Sequence, residues 1–144
     1  MGFDGPGPFE NSHGKLLYGK LVEKMDAVQV GWEPIRSMLN LESNGHKDEV
    51  RCCEAYAAAA IVAIVCSPRS PNELSTEIYA YLGKVEPQGP EPSLIEEARA
   101  SLVKIETDST DSTDSSYLRD HWHEHKQLSH FVDMLRQYHN RLSP

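Results

Sequence analysis

From Ala55 to Cys66 the chain runs through twelve apolar residues, six of them alanine. Alanine is the strongest helix former, and neither Gly nor Pro interrupts the run. Twelve residues fall well short of the roughly 20 that carry a helix across a bilayer. The run therefore predicts a helix buried on most sides, starting at Asp48, with Val50, Cys53, Ala57, Ile61 and Ile64 on one stripe and little polar surface past Glu54. Whatever else the chain forms must pack around it.

The flanking segments supply that packing as further helices. Asn11 or Ser12 can cap a helix carrying Leu17, Leu21, Met25 and Val28 at helical spacing. Trp32-Glu33-Pro34 reads as a helix start, with Pro in the first turn and Ile35, Met38, Leu39 and Leu41 on the apolar side. Ser67-Pro68-Arg69-Ser70-Pro71 breaks the pattern, and Asn72 caps a helix with Leu74, Ile78, Tyr81, Leu82 and Val85. Pro92-Ser93 opens a helix with Leu94, Ala98, Leu102 and Ile105 inward and Glu96, Glu97, Arg99 and Lys104 outward. A closing helical region places Leu118, Trp122, Leu128, Phe131, Leu135, Tyr138 and Leu142 along a seam. No segment alternates with the period of a strand.

Two stretches resist regular structure. Residues 1–11 are punctuated by Gly2, Gly5, Pro6, Gly7 and Pro8, which punish both helix and interior strand. Residues 107–115 contain the repeat Asp108-Ser109-Thr110-Asp111-Ser112-Thr113-Asp114 without one apolar side chain, so nothing there repays the entropy of ordering. The expectation is an all-α single domain over 1–144. It is an irregular bundle of six to seven helices with an extended Gly/Pro-rich lead-in (1–11) and a flexible acidic loop (107–115).

The 144 residues carry a net charge of −8. Between Glu86 and Asp120, nine carboxylates face only Arg99, Lys104 and Arg119, so this stretch holds −6 of the total. Nucleic acid is disfavoured, because its binding rests on Lys and Arg neutralising phosphates, and anionic membranes are disfavoured for the same reason. Cys52, Cys53 and Cys66 cannot form a complete disulfide framework, since one is left over and two are adjacent. With no charged leader preceding an apolar segment, the expected compartment is the reducing cytoplasm.

Chemistry-bearing candidates are few. His121, His123, His125 and His130 lie within ten residues of one another. On a helix His121 and His125 share a face, the spacing that lets two imidazoles reach one Zn²⁺, with Glu124 close by. Trp122 stands where a His-Glu-x-x-His hydrolase needs its Glu, so a solvated polar face around a buried Trp122 competes with a metal site. Cys52-Cys53 has the wrong spacing for a Cys-x-x-Cys clamp and reads as a pair of small core residues. The Asp-Ser-Thr repeat lacks the ligand spacing, Gly and closing Glu of an EF-hand loop.

The opening Met1-Gly2-Phe3-Asp4-Gly5-Pro6-Gly7-Pro8-Phe9-Glu10-Asn11 resembles the start of a bacterial family, domain of unknown function 4259, whose members begin Met-Gly-x-x-Gly-x-Gly-x-Phe-Asp/Glu-Asn. Ala57 through Val65 is similar to that family's alanine-rich helix, and Tyr117-Leu118-Arg119-Asp120-His121-Trp122 to its Leu-Arg-x-x-Trp segment before a closing helix ending in Arg141-Leu142. Ala60 departs from the Glu expected there. The resemblance implies an all-helical cytosolic domain and supplies no reaction.

Taken together the residues point to a non-enzymatic intracellular protein-binding module. An example is an immunity or antitoxin-type inhibitor that caps a basic toxin or effector through Glu96, Glu97, Asp108, Asp111, Asp114 and Asp120, with no cofactor. Two alternatives stand beside it. One is a metal-binding protein or metal-dependent hydrolase using His121, Glu124, His125 and His130, with zinc as cofactor. The other is a structural homo-oligomer joined through the closing helix's seam.

Overall fold

The computed structural model describes residues 7–8, 32–41, 48–67, 69, 76, 79, 91–106 and 116–142. Among them every regular element is a helix: α1 Glu33–Leu39, α2 Glu49–Cys66, α3 Pro92–Glu106, α4 Tyr117–Glu124 and α5 Leu128–Arg141. These are five helices among the described residues, and the other helices that the sequence predicts fall mainly outside them. The helix carrying Leu17 to Val28 lies outside the described residues, as does most of the one from Asn72, of which Thr76 and Tyr79 are helical. Of the lead-in, only Gly7 and Pro8 are described; both are buried and non-helical. The loop 107–115 lies outside the described residues.

Helix α2 is the hub, packed against each of the other four helices. Asp48 starts it in an extended conformation, its carboxylate accepting from the Arg51 N–H at 2.9 Å. That satisfies one of the orphan donors of the first turn. From Cys52 to Ile64 every side chain except Glu54 is buried. Six alanines within the helix let neighbouring backbones approach closely, and the missing volume is returned by larger side chains from outside: Ile35, Leu94, Leu102, Ile105, Leu118, Phe131 and Leu135. Tyr56 is the largest fully buried side chain among the described residues, with Phe131 edge-on at 5.6 Å and Tyr138 edge-on at 6.4 Å. Such pairs add about 0.5–1.5 kcal/mol beyond area burial.

Helix α1 has only seven residues, too few to persist alone in water. Tertiary bonds hold its C-terminal end: Ser101 Oγ donates to the Leu39 carbonyl at 2.5 Å, and Arg51 donates to the Asn40 carbonyl at 2.6 Å. Both carbonyls belong to a terminus whose last acceptors have no partner within the helix. The helix stops at Leu39, and Leu41 is buried beyond it.

The end of α3 is clamped to the start of α4. Ser116 Oγ donates to the Ile105 carbonyl at 2.7 Å while accepting from the Arg119 N–H at 3.1 Å, and Arg119 donates to the Glu106 carbonyl at 2.8 Å. The flanks of the acidic segment 107–115 are therefore fixed to each other.

The closing helical region is two helices. The chain leaves α4 through Lys126 at φ 61, and the Gln127 N–H closes on the Trp122 carbonyl at 2.9 Å. A left-handed residue with this back-bonding ends a helix. The predicted seam is occupied inside the protomer: Leu118, Trp122, Phe131, Leu135 and Leu142 are all buried in the single core.

Candidate functional site

Two surfaces collect the residues singled out in the sequence. The first is the outer side of α3. Its buried edge, Leu94, Ala98, Ser101, Leu102 and Ile105, fixes the opposite edge toward solvent, where Glu96, Ala100, Val103 and Lys104 are exposed. Val103 is 55% exposed, an unusual state for a β-branched apolar side chain in mid-helix. Grooves flank it on both sides. One, of about 350 Å³, is walled by Leu39, Leu41, Glu97, Ala100, Ser101 and Lys104. The other, of about 290 Å³, is walled by Glu96, Arg99, Ala100, Val103 and His139. Ala100 belongs to both and forms the low ridge between them.

Polar groups on this side are unevenly satisfied. Arg36 of α1 pairs with Glu97, reaches Glu91 at 3.6 Å and donates to Ser93 Oγ at 3.4 Å. Glu97, expected to be available to a partner, is half-buried and committed to holding α1 on α3. Glu96 is exposed. Arg99 Nε is buried in the wall of the second groove with no hydrogen-bond partner among the described residues. A buried donor left in this state costs about 1–3 kcal/mol. Asp120 is exposed, but on α4, and Asp108, Asp111 and Asp114 lie outside the described residues.

The second surface is the aromatic and histidine face of α4. Trp122 is buried, 4% exposed, because the helix turns its Leu118 and Trp122 stripe onto the core. Around it His121 lies edge-on at 4.6 Å, and His125 crosses at 6.0 Å. The His121 and His125 rings are 4.4 Å apart with planes inclined by 37°, and Tyr117 stacks on His121 at 6.1 Å. Burial lowers the His121 pKa, and the neighbouring His125 adds to this against the opposing pull of Glu124 and Glu49. Burial raises the Tyr117 pKa, as does Glu49, whose carboxylate accepts the phenol's hydrogen bond. Glu124 is exposed, and His130 is exposed on α5, past the turn that separates the two helices. Among the described residues no three His, Cys, Asp or Glu side chains converge as a metal-holding group.

The cysteines split by position. Cys52 and Cys53 are buried and Cys66 is exposed at the end of α2. Burial pushes the Cys52 thiol up to about 12, although the Leu118 and Tyr117 N–H groups and Ser116 favour its thiolate. Burial likewise raises Cys53 and, in lesser surroundings, Cys66. Sequence reasoning missed the unsatisfied Arg99, the Arg36 bridge and the approach of Glu49 to Tyr117. Each depends on which helices become neighbours, and only the exposed Val103 left a trace in the pattern.

Among the described residues no helix is long and apolar enough to cross a membrane. A protein-family profile described as Domain of unknown function (DUF4259) matches residues 2–133. Neither a curated protein nor a solved structure matches the chain.

Proposed function

The chain belongs to the DUF4259 family over residues 2–133, and from the chemistry of its surface we propose that it is a protein-binding module rather than an enzyme. Its binding face is the outer side of α3. The observation that carries this reading is the exposed Val103 on the wall of a groove that Glu96 also lines. An apolar anchor beside an acidic side chain matches a protein surface that offers an apolar and a basic side chain together.

The partner's charge follows from the balance of the chain. With a net charge of −8, a basic protein is attracted and an acidic one repelled. Glu96 and Asp120 are the exposed members of the acidic set, joined in this reading by Asp108, Asp111 and Asp114. Glu97 supports the face indirectly by fixing α1 against α3. An inhibitor of the immunity or antitoxin type, acting in a bacterial cytoplasm on a basic toxin or effector, fits this chemistry. The first eleven residues serve as the family's N-terminal signature.

Affinity capture from the native cell extract on the full-length chain tests the reading. The expected result is one basic protein retained at low salt, released at high salt, and lost with Val103→Asp or Glu96→Lys. Co-expression of the intact chain is expected to suppress that protein's toxicity or activity. Equal retention by the variants and the parent removes the assignment of the face; no basic protein retained under any condition removes the function.

A further inference from the structure

We propose that His121 and His125 form a two-point site for a late first-row divalent metal ion, with Cu(II) held most tightly. Residues four apart on a helix share a face, so their imidazoles are neighbours without any backbone adjustment. A metal about 2.0–2.1 Å from an imidazole nitrogen lies about 3.2 Å from that ring's centre; two rings at a right angle about it have centres about 4.5 Å apart, and at a tetrahedral angle about 5.2 Å apart. The His121 and His125 centres are 4.4 Å apart. The separation of the ring centres thus matches two imidazoles at a right angle about one ion, the arrangement that suits Cu(II) and Ni(II), and Cu(II) heads the affinity order.

The surroundings suit an open, solvent-completed site. His125 and Glu124 are exposed and His121 is half-buried, so water reaches the outer coordination positions. No third His, Cys, Asp or Glu among the described residues converges on the pair. Beside it, Trp122 packs edge-on against His121 and Tyr117 stacks on the same ring, which holds the first imidazole's plane. The Glu49 carboxylate accepts from the Tyr117 hydroxyl and lies within electrostatic reach of His121. Two imidazoles with water for the rest bind in the micromolar range, not as a structural centre. The site is on α4, separate from the face proposed for the protein partner, and does not depend on it.

Trp122 supplies the readout. Its ring lies 4.6 Å from His121 and 6.0 Å from His125, within reach of quenching by bound Cu(II). Tag-free protein carrying Trp32→Phe, which leaves Trp122 as the one indole of the two in the chain, is titrated with CuSO₄ at neutral pH. The expected result is saturable quenching at one equivalent, competed by Ni(II), weakened at least tenfold by His121→Gln and by His125→Gln, and unchanged by His130→Gln. The His125 variant replaces an exposed side chain, so it keeps the fold even if the His121 variant does not, and circular dichroism checks both. Quenching that survives His125→Gln unchanged, or an absence of saturable quenching, overturns the site. Val103→Asp leaves the copper titration unaltered, which separates failure here from failure of the protein-binding face.

Discussion

Arg141 donates two hydrogen bonds, 3.0 and 2.7 Å long, to the carbonyl oxygen of Ser67, 74 positions earlier in the chain. Ser67 caps the C-terminal end of α2, and Arg141 is the last residue of α5. A guanidinium at a helix C-terminus meets the negative end of the backbone dipole and carbonyls that have no partner in the helix. The Tyr138 ring supports the guanidinium carbon at 5.8 Å from its centre. One side chain thereby ties the final helix to the hub.

Removing it should loosen the end of the bundle. Hydrogen bonds from a charged donor contribute about 1.5–3 kcal/mol, and Arg141→Ala is expected to lose that amount in urea unfolding. Arg141→Lys keeps the charge but not the fork, so it should recover less than half. Full stability in the alanine variant would show that the pair contributes nothing.

Ser116 is a joint rather than a simple cap, because its hydroxyl donates to Ile105 and accepts from Arg119 at once. Ser116→Ala forfeits the cap and strands a buried carbonyl, an expected loss of about 2 kcal/mol. Ser116→Thr keeps both bonds and should lose less. Equal denaturation midpoints for parent and alanine variant would contradict the joint.

Cys52 links stability to alkaline pH. Its ordinary value is 9.0 and burial raises it to about 12 in the folded chain. The unfolded chain releases this proton first, so the stabilisation is complete below pH 9 and is lost as pH rises through the window toward 12. Comparison of Cys52→Ala with the parent in urea unfolding between pH 8 and pH 11 should show a shallower decline for the variant. Native alkylation followed by mass spectrometry should modify Cys66 alone, and denaturant should expose all three thiols. Rapid native modification of Cys52 would refute its burial.

Ala60 stands where the family resemblance calls for Glu, and it is 0% exposed. Ala60→Glu drives a carboxylate into the core, and an unpaired buried charge is expected to destabilise by more than about 3 kcal/mol, or to shift its pKa upward until it is protonated. The loss should shrink at pH 5. A variant as stable as the parent at pH 7 would mean that this chain retains a polar partner for the position.

For the five described helices, local spacing was enough to say which segments coil and which of their sides are apolar. The run around Ala57 to Ile64 with its start at Asp48, and the stripe of Leu94, Ala98, Leu102 and Ile105, are local matters of spacing, and the structure places each as its pattern implies. The tertiary structure alone decided the rest. Glu97 looks solvent-facing in the pattern, yet Arg36 claims it, and Arg99 is stranded on a groove wall. The single closing seam became two helices because Lys126 takes a left-handed conformation, which also parts His130 from His121 and His125. Periodicity records the angle of a side chain about its own axis. It holds no record of which neighbouring helix arrives at that angle, and the partner that arrives is what turns a charge into a bridge or strands it on a groove wall.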